Sequence, residues 1–185
     1  MTRLAWDVPV VLVPGAVEDL RQVAVQEAVL DVALPRVAGV RITTGRLGHR
    51  TVLAGVEPVV DGPVGTDLTL AVALLALGRP VPVLAVGTAL QRAVLAALAA
   101  VPAGTTVTYG ELADRAGAPG AARAAARVMA TNRVPLVLPC HRVVPAAGGT
   151  GAYGWGAEVK AALLACEGAV PDGRRSTDAV AAVRA

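Results

Sequence analysis

Two helix-capping patterns constrain the fold of this chain more than any other local feature. Thr88 is followed three residues later by Gln91, and Thr108 by Glu111. In this arrangement the two side chains cap the first turn of a helix reciprocally. The first pattern predicts a helix to about residue 100, and the second predicts a short helix closed by Gly117. We therefore expect the chain from residue 87 onward to be mainly helical.

A further helix is predicted at 121–131, after the turn at Pro119-Gly120. Two short helices joined by a glycine-containing turn are typical of a helix-turn-helix. The second helix carries Arg123 and Arg127 four residues apart, on one face, among small alanines. This pattern favours a recognition helix that approaches a nucleic-acid groove, and it is also compatible with an alanine-rich helix of high intrinsic propensity.

Residues 1–86 are predicted to form a small N-terminal α/β domain, an antiparallel sheet with a helix. β-Branched runs bounded by Pro or Gly predict strands at 8–13, 39–43 and 51–60. Helices are predicted at 16–34 and 66–77, with an extended connector at 81–86. In the second domain, 87–170, we expect a buried strand or extended segment at 136–138, a mobile glycine-rich loop, and a helix at 158–167 stopped by Gly168. Residues 171–185 are expected to be a frayed tail.

Composition and charge narrow the classes of protein. Apolar residues make up 55% of the chain and Phe is absent, so Ala, Val and Leu must fill the core. No apolar run approaches the roughly 20 residues that a spanning helix needs, and no export signal is evident, so a cytoplasmic protein without membrane contact is expected. From residue 115 to 157 there are five Arg and no acidic residue, which suits either a polyanion-binding surface or a solvated arginine face.

The two cysteines have different settings. Cys166 lies in a predicted helix among Ala and Leu, which predicts a buried small apolar side chain. Cys140 follows Pro139 and precedes His141 and Arg142, and a neighbouring imidazole and positive charge are expected to increase its thiolate fraction. The spacings of the Cys and His residues match no metal motif, so no metal is expected.

The segment Pro139-Cys140-His141-Arg142-Val143 resembles the signature of the O6-alkylguanine-DNA alkyltransferases, also called methylated-DNA–protein-cysteine methyltransferases. The resemblance covers about residues 65–170, in collinear segments at the expected distances. These segments are GTALQRAV at 87–94, VTYGELA at 107–113, ARA at 122–124, NRVPL at 132–136, GAYGWG at 151–156 and the Lys160, Leu163, Leu164, Glu167 and Gly168 pattern.

The resemblance implies a single-turnover reaction in which Cys140 accepts an alkyl group from O6-alkylguanine, chiefly O6-methylguanine, in double-stranded DNA. His141 would activate the thiol through a bridging water, and Glu167 would orient the imidazole. Asn132 would brace the active-site turn, and Tyr109 would assist the departing guanine and help to turn the nucleotide out. No cofactor or metal is implied, and the protein is expected to act as a monomer.

The resemblance also implies a winged helix-turn-helix in which Arg123 replaces the flipped base. Arg127, Tyr109, Ala122 and Ala126 would contact DNA. The substrate pocket would be formed by Pro139, Val143, Tyr153, Gly154 and Trp155. Trp155 stands where some family members have a small residue, so it is expected to narrow the pocket.

Three other functions remain as alternatives. A non-catalytic lesion-binding protein of the same fold is disfavoured because such relatives replace the cysteine. A cysteine hydrolase using Cys140, His141 and Glu167 lacks a clear oxyanion-hole motif, and a transcription regulator would need a further domain. Ala124-Ala125-Ala126, Leu90 and Arg133 depart from the family pattern, and these changes concern helix packing and DNA fit rather than the chemistry.

Overall fold

The computed structural model describes residues 8–61, 63–64 and 69–169. The predicted frayed tail at 171–185 and the first residues of the helix predicted at 66–77 lie outside this part of the chain. Its helices include none with the length and apolar character needed to cross a bilayer.

The N-terminal half is built on a mixed five-stranded sheet, with the spatial order β1-β5-β4-β3-β2. The strands are β1 Val10–Pro14, β2 Arg21–Leu34, β3 Val37–Leu47, β4 Arg50–Val60 and β5 Val81–Ala85. The predicted strands at 8–13, 39–43 and 51–60 are confirmed. The prediction of a purely antiparallel sheet is wrong, because α1 (Leu70–Ala76) carries the chain from β4 to β5, which pairs in parallel with β4 and β1. The predicted connector at 81–86 is thus an interior strand.

The helix predicted at 16–34 is also wrong. The chain forms only a 3-10 turn at Val17–Asp19 and then the long strand β2, which pairs antiparallel with β3 from Arg21 to Leu34. The helix-favouring Ala, Glu and Gln residues of this segment are interspersed with valines. Strand pairing with β3 outweighs their modest helix propensity.

The C-terminal half is mainly helical, as predicted. Its elements are α2 Ala89–Ala99, β6 Val107–Thr108, α3 Tyr109–Arg115, α4 Ala122–Ala130, a 3-10 turn at Cys140–Arg142, β7 Val143–Val144 and α5 Ala157–Glu167. Both capping boxes are confirmed: the Gln91 and Glu111 N–H groups donate to Thr88 and Thr108 Oγ1 over 3.3 and 3.1 Å. Residues 136–138 are buried but form turns rather than the predicted strand.

One apolar core runs through both halves of the protein and contains mostly Val, Leu and Ala. The backbone also joins the halves, because the Val56 N–H of β4 donates to the Arg133 carbonyl over 2.7 Å. Arg133 lies directly after Asn132, in the turn that follows α4. The N-terminal sheet therefore holds the segment that carries a predicted active-site residue.

Helix α2 offers a matched test of this packing. Leu98 is fully buried in the core, whereas Leu90 on the same helix is 39% exposed. We expect Leu98→Ala to lower the free energy of unfolding by about 2–5 kcal/mol, because it leaves a cavity. Leu90→Ala, with the same change in helix propensity, should alter it by no more than about 0.5 kcal/mol. Denaturant unfolding of the two variants measures the difference, and equal losses would contradict this orientation of α2.

Candidate active site

The local backbone fixes the position of Cys140. Pro139 has φ −81° and ψ 65°, the geometry of an inverse γ-turn, and the Cys140 N–H donates to the Leu138 carbonyl over 2.8 Å. The proline ring restricts φ to this range, so the bend before the cysteine is largely preset. Cys140 then begins the 3-10 turn with its side chain only 7% exposed.

Asn132 ties this bend to the end of α4. Its Nδ2 donates to the Leu138 carbonyl over 2.8 Å and to the Cys140 Sγ over 3.1 Å, while its Oδ1 accepts from the Val134 N–H. Leu136, between these residues, has φ 72°, a conformation that costs energy for a branched side chain. Its almost complete burial holds it there. The turn is thus rigid on the side that faces the thiol.

A buried ionic cluster lies behind the cysteine. Arg142 Nε donates to Glu167 Oε2 over 3.0 Å and its Nη2 to Oε1 over 2.8 Å. Arg142 Nη1 donates to the Val101 carbonyl, and the Gly104 N–H donates to Glu167 over 3.4 Å. Burial alone raises the pKa of Glu167, but hydrogen bonds and charges from His141 and Arg142 outweigh it and lower the pKa to about 2. Glu167 is therefore a carboxylate at neutral pH.

His141 is fully buried, and its Nε2 lies 2.9 Å from Glu167 Oε1. An ionised carboxylate only accepts hydrogen bonds, so Nε2 carries the proton of this contact. Burial lowers the pKa of His141 despite the opposing effect of Glu167, and the positive charges of Arg142 and Lys160 lower it further. The imidazole is therefore neutral at neutral pH, with an unprotonated Nδ1 that is buried and has no partner among the described residues.

The expected increase in the thiolate fraction of Cys140 is wrong for the resting protein. Burial raises the pKa of the Cys140 thiol, and the Asn132 hydrogen bond and the charge of Lys160 offset this only in part. Arg142 does not serve the thiol as expected, because its guanidinium pairs with Glu167. Cys140 is accordingly a protonated thiol next to a neutral base.

Lys160 is a buried charged residue behind the cysteine turn to which the sequence analysis gave no role. Its side chain is 1% exposed, and its Nζ donates to the Val143 carbonyl over 2.6 Å. Burial lowers the pKa of Lys160 to about 8, while Cys140 opposes the shift. One signal in the sequence could have identified it: Lys160 is the only lysine, beside 16 arginines.

A two-stranded parallel ribbon connects the cysteine segment with Tyr109. In this ribbon Val107 pairs with Val143 and Thr108 with Val144. Tyr109 follows directly as the first residue of α3, placed by the Thr108 capping box. Its half-buried hydroxyl has a pKa raised by burial and then by Cys140, so it is a proton donor at neutral pH.

Cys140 opens into a pocket of about 470 Å³. The lining combines residues of α3, of α4, of the Asn132 turn and of the loop before α5: Tyr109, Ala126, Met129, Ala130, Asn132, Pro135, Cys140, Ala152, Tyr153, Gly154 and Trp155. The Tyr153 and Trp155 rings meet edge to face, 6.2 Å between centroids. Burial raises the pKa of Tyr153 well above its usual value, so its hydroxyl stays protonated.

The other residues that were predicted for the pocket or for DNA contact do not all lie at the pocket. Pro139 and Val143 are buried behind the pocket rather than in its lining, whereas Arg123 and Arg127 lie exposed on α4. Ala122 is partly buried at the start of α4, and Ala126 reaches the pocket. Met129, Ala130, Pro135 and Ala152 are lining residues that the sequence analysis did not identify.

Cys166 is exposed, contrary to the prediction, because it lies at the margin of the buried face of α5 rather than at its centre near Leu163. The buried faces of α5 instead carry Lys160 and Glu167. Gly168 ends the helix with φ 70°, and the following Ala169 N–H donates to the Leu164 carbonyl. In the described part of the chain, no three His, Cys, Asp or Glu side chains gather as a metal site requires.

Comparison with known proteins matches residues 89–169 to the family "6-O-methylguanine DNA methyltransferase, DNA binding domain". A methylated-DNA–protein-cysteine methyltransferase of Mycolicibacterium paratuberculosis is 47% identical over 81 residues, 44% of this chain and 49% of that protein. The Escherichia coli bifunctional transcriptional activator/DNA repair enzyme Ada is 46% identical over 78 residues, 42% of this chain and 22% of that protein. In such alignments the chain spans about half the length of the first curated relatives.

Solved structures extend the match to the N-terminal half. The Mycobacterium tuberculosis OGT in complex with DNA superposes with a TM-score of 0.57 at 31% identity, covering 78% of this chain and 92% of that one. A second structure, the O6-methylguanine methyltransferase of the same organism, superposes with a TM-score of 0.55 at 32% identity. The match covers 78% of this chain and 93% of that one. With both halves matched, this chain belongs to the O6-alkylguanine-DNA alkyltransferase family, the methylated-DNA–protein-cysteine methyltransferases.

Proposed function

We propose that the protein repairs O6-alkylguanine in double-stranded DNA by transferring the alkyl group to Cys140. The observation that carries this proposal is the position of the Cys140 thiol, in a pocket wide enough for one base and beside a neutral imidazole. The membership of the chain in the alkyltransferase family supports it, as does the DNA complex of a matched structure.

The thiol needs a base, because its pKa is raised. The unprotonated Nδ1 of His141 supports this role, because it is buried, has no partner among the described residues, and suits a water between it and the thiol. In the proposed step the Cys140 proton passes through this water to His141 Nδ1. Glu167 stabilises the imidazolium that forms, and Asn132 donates to the developing thiolate.

The thiolate then attacks the alkyl carbon, so that a carbon–sulfur bond forms as the bond from carbon to guanine O6 breaks. The electron pair of the broken bond stays with the guanine. The Tyr109 hydroxyl, a protonated donor at the pocket wall, gives a hydrogen bond or proton to the ring and stabilises this leaving group. The imidazolium of His141 then gives up its proton, and the guanine ring takes up one proton, either directly or through Tyr109, which is reprotonated. The net products are the thioether at Cys140 and neutral guanine.

The pocket receives a base only if the nucleotide leaves the duplex, since 470 Å³ does not hold stacked DNA. Helix α4 contributes both to the pocket and to the exposed surface that would face the DNA. Ala126, Met129 and Ala130 line the pocket, whereas Arg123 and Arg127 are exposed on the same helix. We place α4 as the recognition helix of a winged helix-turn-helix in residues 87–170, with Arg123 filling the gap left by the flipped base and Arg127 and Ala122 near the phosphates.

The product at Cys140 is a thioether, which water does not cleave readily. Each molecule therefore reacts once, and a monomer suffices because one chain supplies the thiol, the base and the proton donor. No cofactor takes part in the proposed steps.

Mass spectrometry of the intact protein, after mixing with a duplex that contains one O6-methylguanine, tests the proposal. We expect each chain to gain one methyl group, on the peptide that holds Cys140. Cys140→Ser should gain none, because a hydroxyl in the same setting is a far weaker nucleophile. Cys166→Ser is the matched control and should react like the parent protein, because Cys166 lies outside the pocket.

Binding of the duplex without methyl gain would favour the lesion-binding alternative. Methylation of Cys166 in place of Cys140, or more than one turnover per chain, would refute the proposed reaction.

Trp155 predicts the range of adducts. Its ring lies in the pocket wall against Tyr153, so the parent protein should react with O6-benzylguanine more slowly than with O6-methylguanine. Trp155→Gly should speed the benzyl reaction about tenfold or more, equivalent to ~1.4 kcal/mol of relieved crowding, and change the methyl reaction little. Trp155→Phe, which keeps an aromatic ring there, is the control. Equal benzyl and methyl rates in the parent protein would show that Trp155 does not limit the pocket.

A further inference from the structure

The single lysine of the chain is buried on α5 and binds the strand that begins three residues after Cys140. The other 16 cationic side chains are all arginine, yet Lys160 stands where exposure is only 1%. Lysine is rarely buried without a partner, because removing its charge from water is costly. The one lysine of this chain therefore lies where its ammonium is almost completely removed from water.

The partner of this ammonium is a carbonyl rather than a carboxylate. Lys160 Nζ donates to the Val143 carbonyl over 2.6 Å, and among the described residues no Asp or Glu forms an ion pair with it. Val143 begins β7, three residues after Cys140, and pairs with β6 directly before Tyr109. Lys160 thus holds the strand that links the nucleophile to the proton donor.

The charge of Lys160 also acts on the thiol. It lowers the pKa of Cys140, and Cys140 in turn raises the pKa of Lys160. Each group therefore favours the charged form of the other, so that the ammonium is favoured when the thiolate forms. Neither Arg142 nor His141 supplies this charge, because Arg142 is bound to Glu167 and His141 is neutral.

We propose that Lys160 is a positioning residue that supplies the counter-charge for the Cys140 thiolate and fixes the β7 strand behind it. The proposal rests on the proposed function, in which Cys140 is the nucleophile. Lysine suits this place better than arginine, because its ammonium is a compact point charge that fits against one carbonyl.

The pH dependence must be read against the other charged and titratable groups on α5 and on the segments near it. On the cysteine turn, α3, the aromatic loop and α5 they are Cys140, His141, Arg142, Tyr109, Tyr153, Glu158 and Glu167. On β2, which also packs against α5, Glu27 pairs with Arg41, and Arg21 donates to the Glu18 carbonyl. Of these, Cys140 is the group that acts on the pKa of Lys160.

The first test uses the unmodified side chain. Because there is one lysine, protein labelled with 13C-lysine gives one side-chain signal to follow against pH by NMR. We expect a midpoint near 8, well below that of an exposed lysine, and a lower midpoint in Cys140→Ser, which cannot form a thiolate. A midpoint near 10.5 in the parent protein, or no change in Cys140→Ser, would overturn the proposal.

The second test measures the thiol. In a Cys166→Ser background, only Cys140 reacts with iodoacetamide, and the rate against pH reports the formation of its thiolate. Lys160→Met should move this profile to higher pH and slow the reaction at pH 7.5 about tenfold, equivalent to ~1.4 kcal/mol. Arg50→Met, which removes an exposed charge on β4, is the control and should leave the profile unchanged.

A purely structural role would lower the melting temperature of Lys160→Met without moving the pH profile, and that result would overturn the proposal. If Lys160→Met does not fold, the NMR titration of Lys160 in the parent protein and in Cys140→Ser still tests the proposal. Both tests are made without DNA and are therefore independent of methyl transfer. Failure of methyl transfer would refute the proposed function but not the coupling of Lys160 with Cys140. Failure of either test here would refute the coupling but not the proposed function.

Discussion

The buried ion pair of Arg142 with Glu167 is the contact on which the rest of the site depends. It joins the end of α2 through the Val101 carbonyl, the cysteine turn through Arg142 itself, and the last turn of α5 through Glu167. A buried carboxylate without Arg142 would bear an uncompensated charge, at a cost of about 3–5 kcal/mol. With Arg142 in place, Glu167 remains ionised and can fix both the orientation and the tautomer of His141.

From the sequence, His141 and Arg142 were both expected to act on Cys140. In the structure they have different functions. The guanidinium neutralises the carboxylate, and the imidazole stays a neutral base. The thiol, whose pKa is raised by burial, is protonated at neutral pH. Reactivity toward small oxidants and electrophiles follows the thiolate, so a protonated thiol reacts only slowly with them. In the proposed reaction, the hydrogen bond from Asn132 and the positive charge of Lys160 favour the thiolate as it forms.

Local signals in the sequence predicted much of the C-terminal half. The capping boxes at Thr88 and Thr108 act within four residues, so their effect on α2 and α3 can be read directly from the sequence. The cysteine motif likewise identified the segments that meet in the site. The roles assigned to Tyr109, Arg123 and the other site residues stay predictions.

Long-range contacts explain what the sequence could not predict. Strand β2 resembles a helix in composition and becomes a strand because β3 pairs with it. The parallel position of β5 depends on the crossover through α1, and the exposure of Cys166 depends on which face of α5 meets the core. The partner of Arg142 lies 25 residues away, in a helix whose register no local pattern relates to the cysteine turn.

The central claim is that His141 is a neutral base held by Glu167, and 15N NMR of histidine-labelled protein tests it most directly. There are only two histidines, and His49 is exposed, so His49→Gln assigns the two sets of ring signals. The account predicts that at pH 7 His141 is neutral, with its proton on Nε2 and a bare Nδ1, and that Glu167→Gln alters this state. An imidazolium at pH 7, or a proton on Nδ1 of the neutral ring, would contradict it.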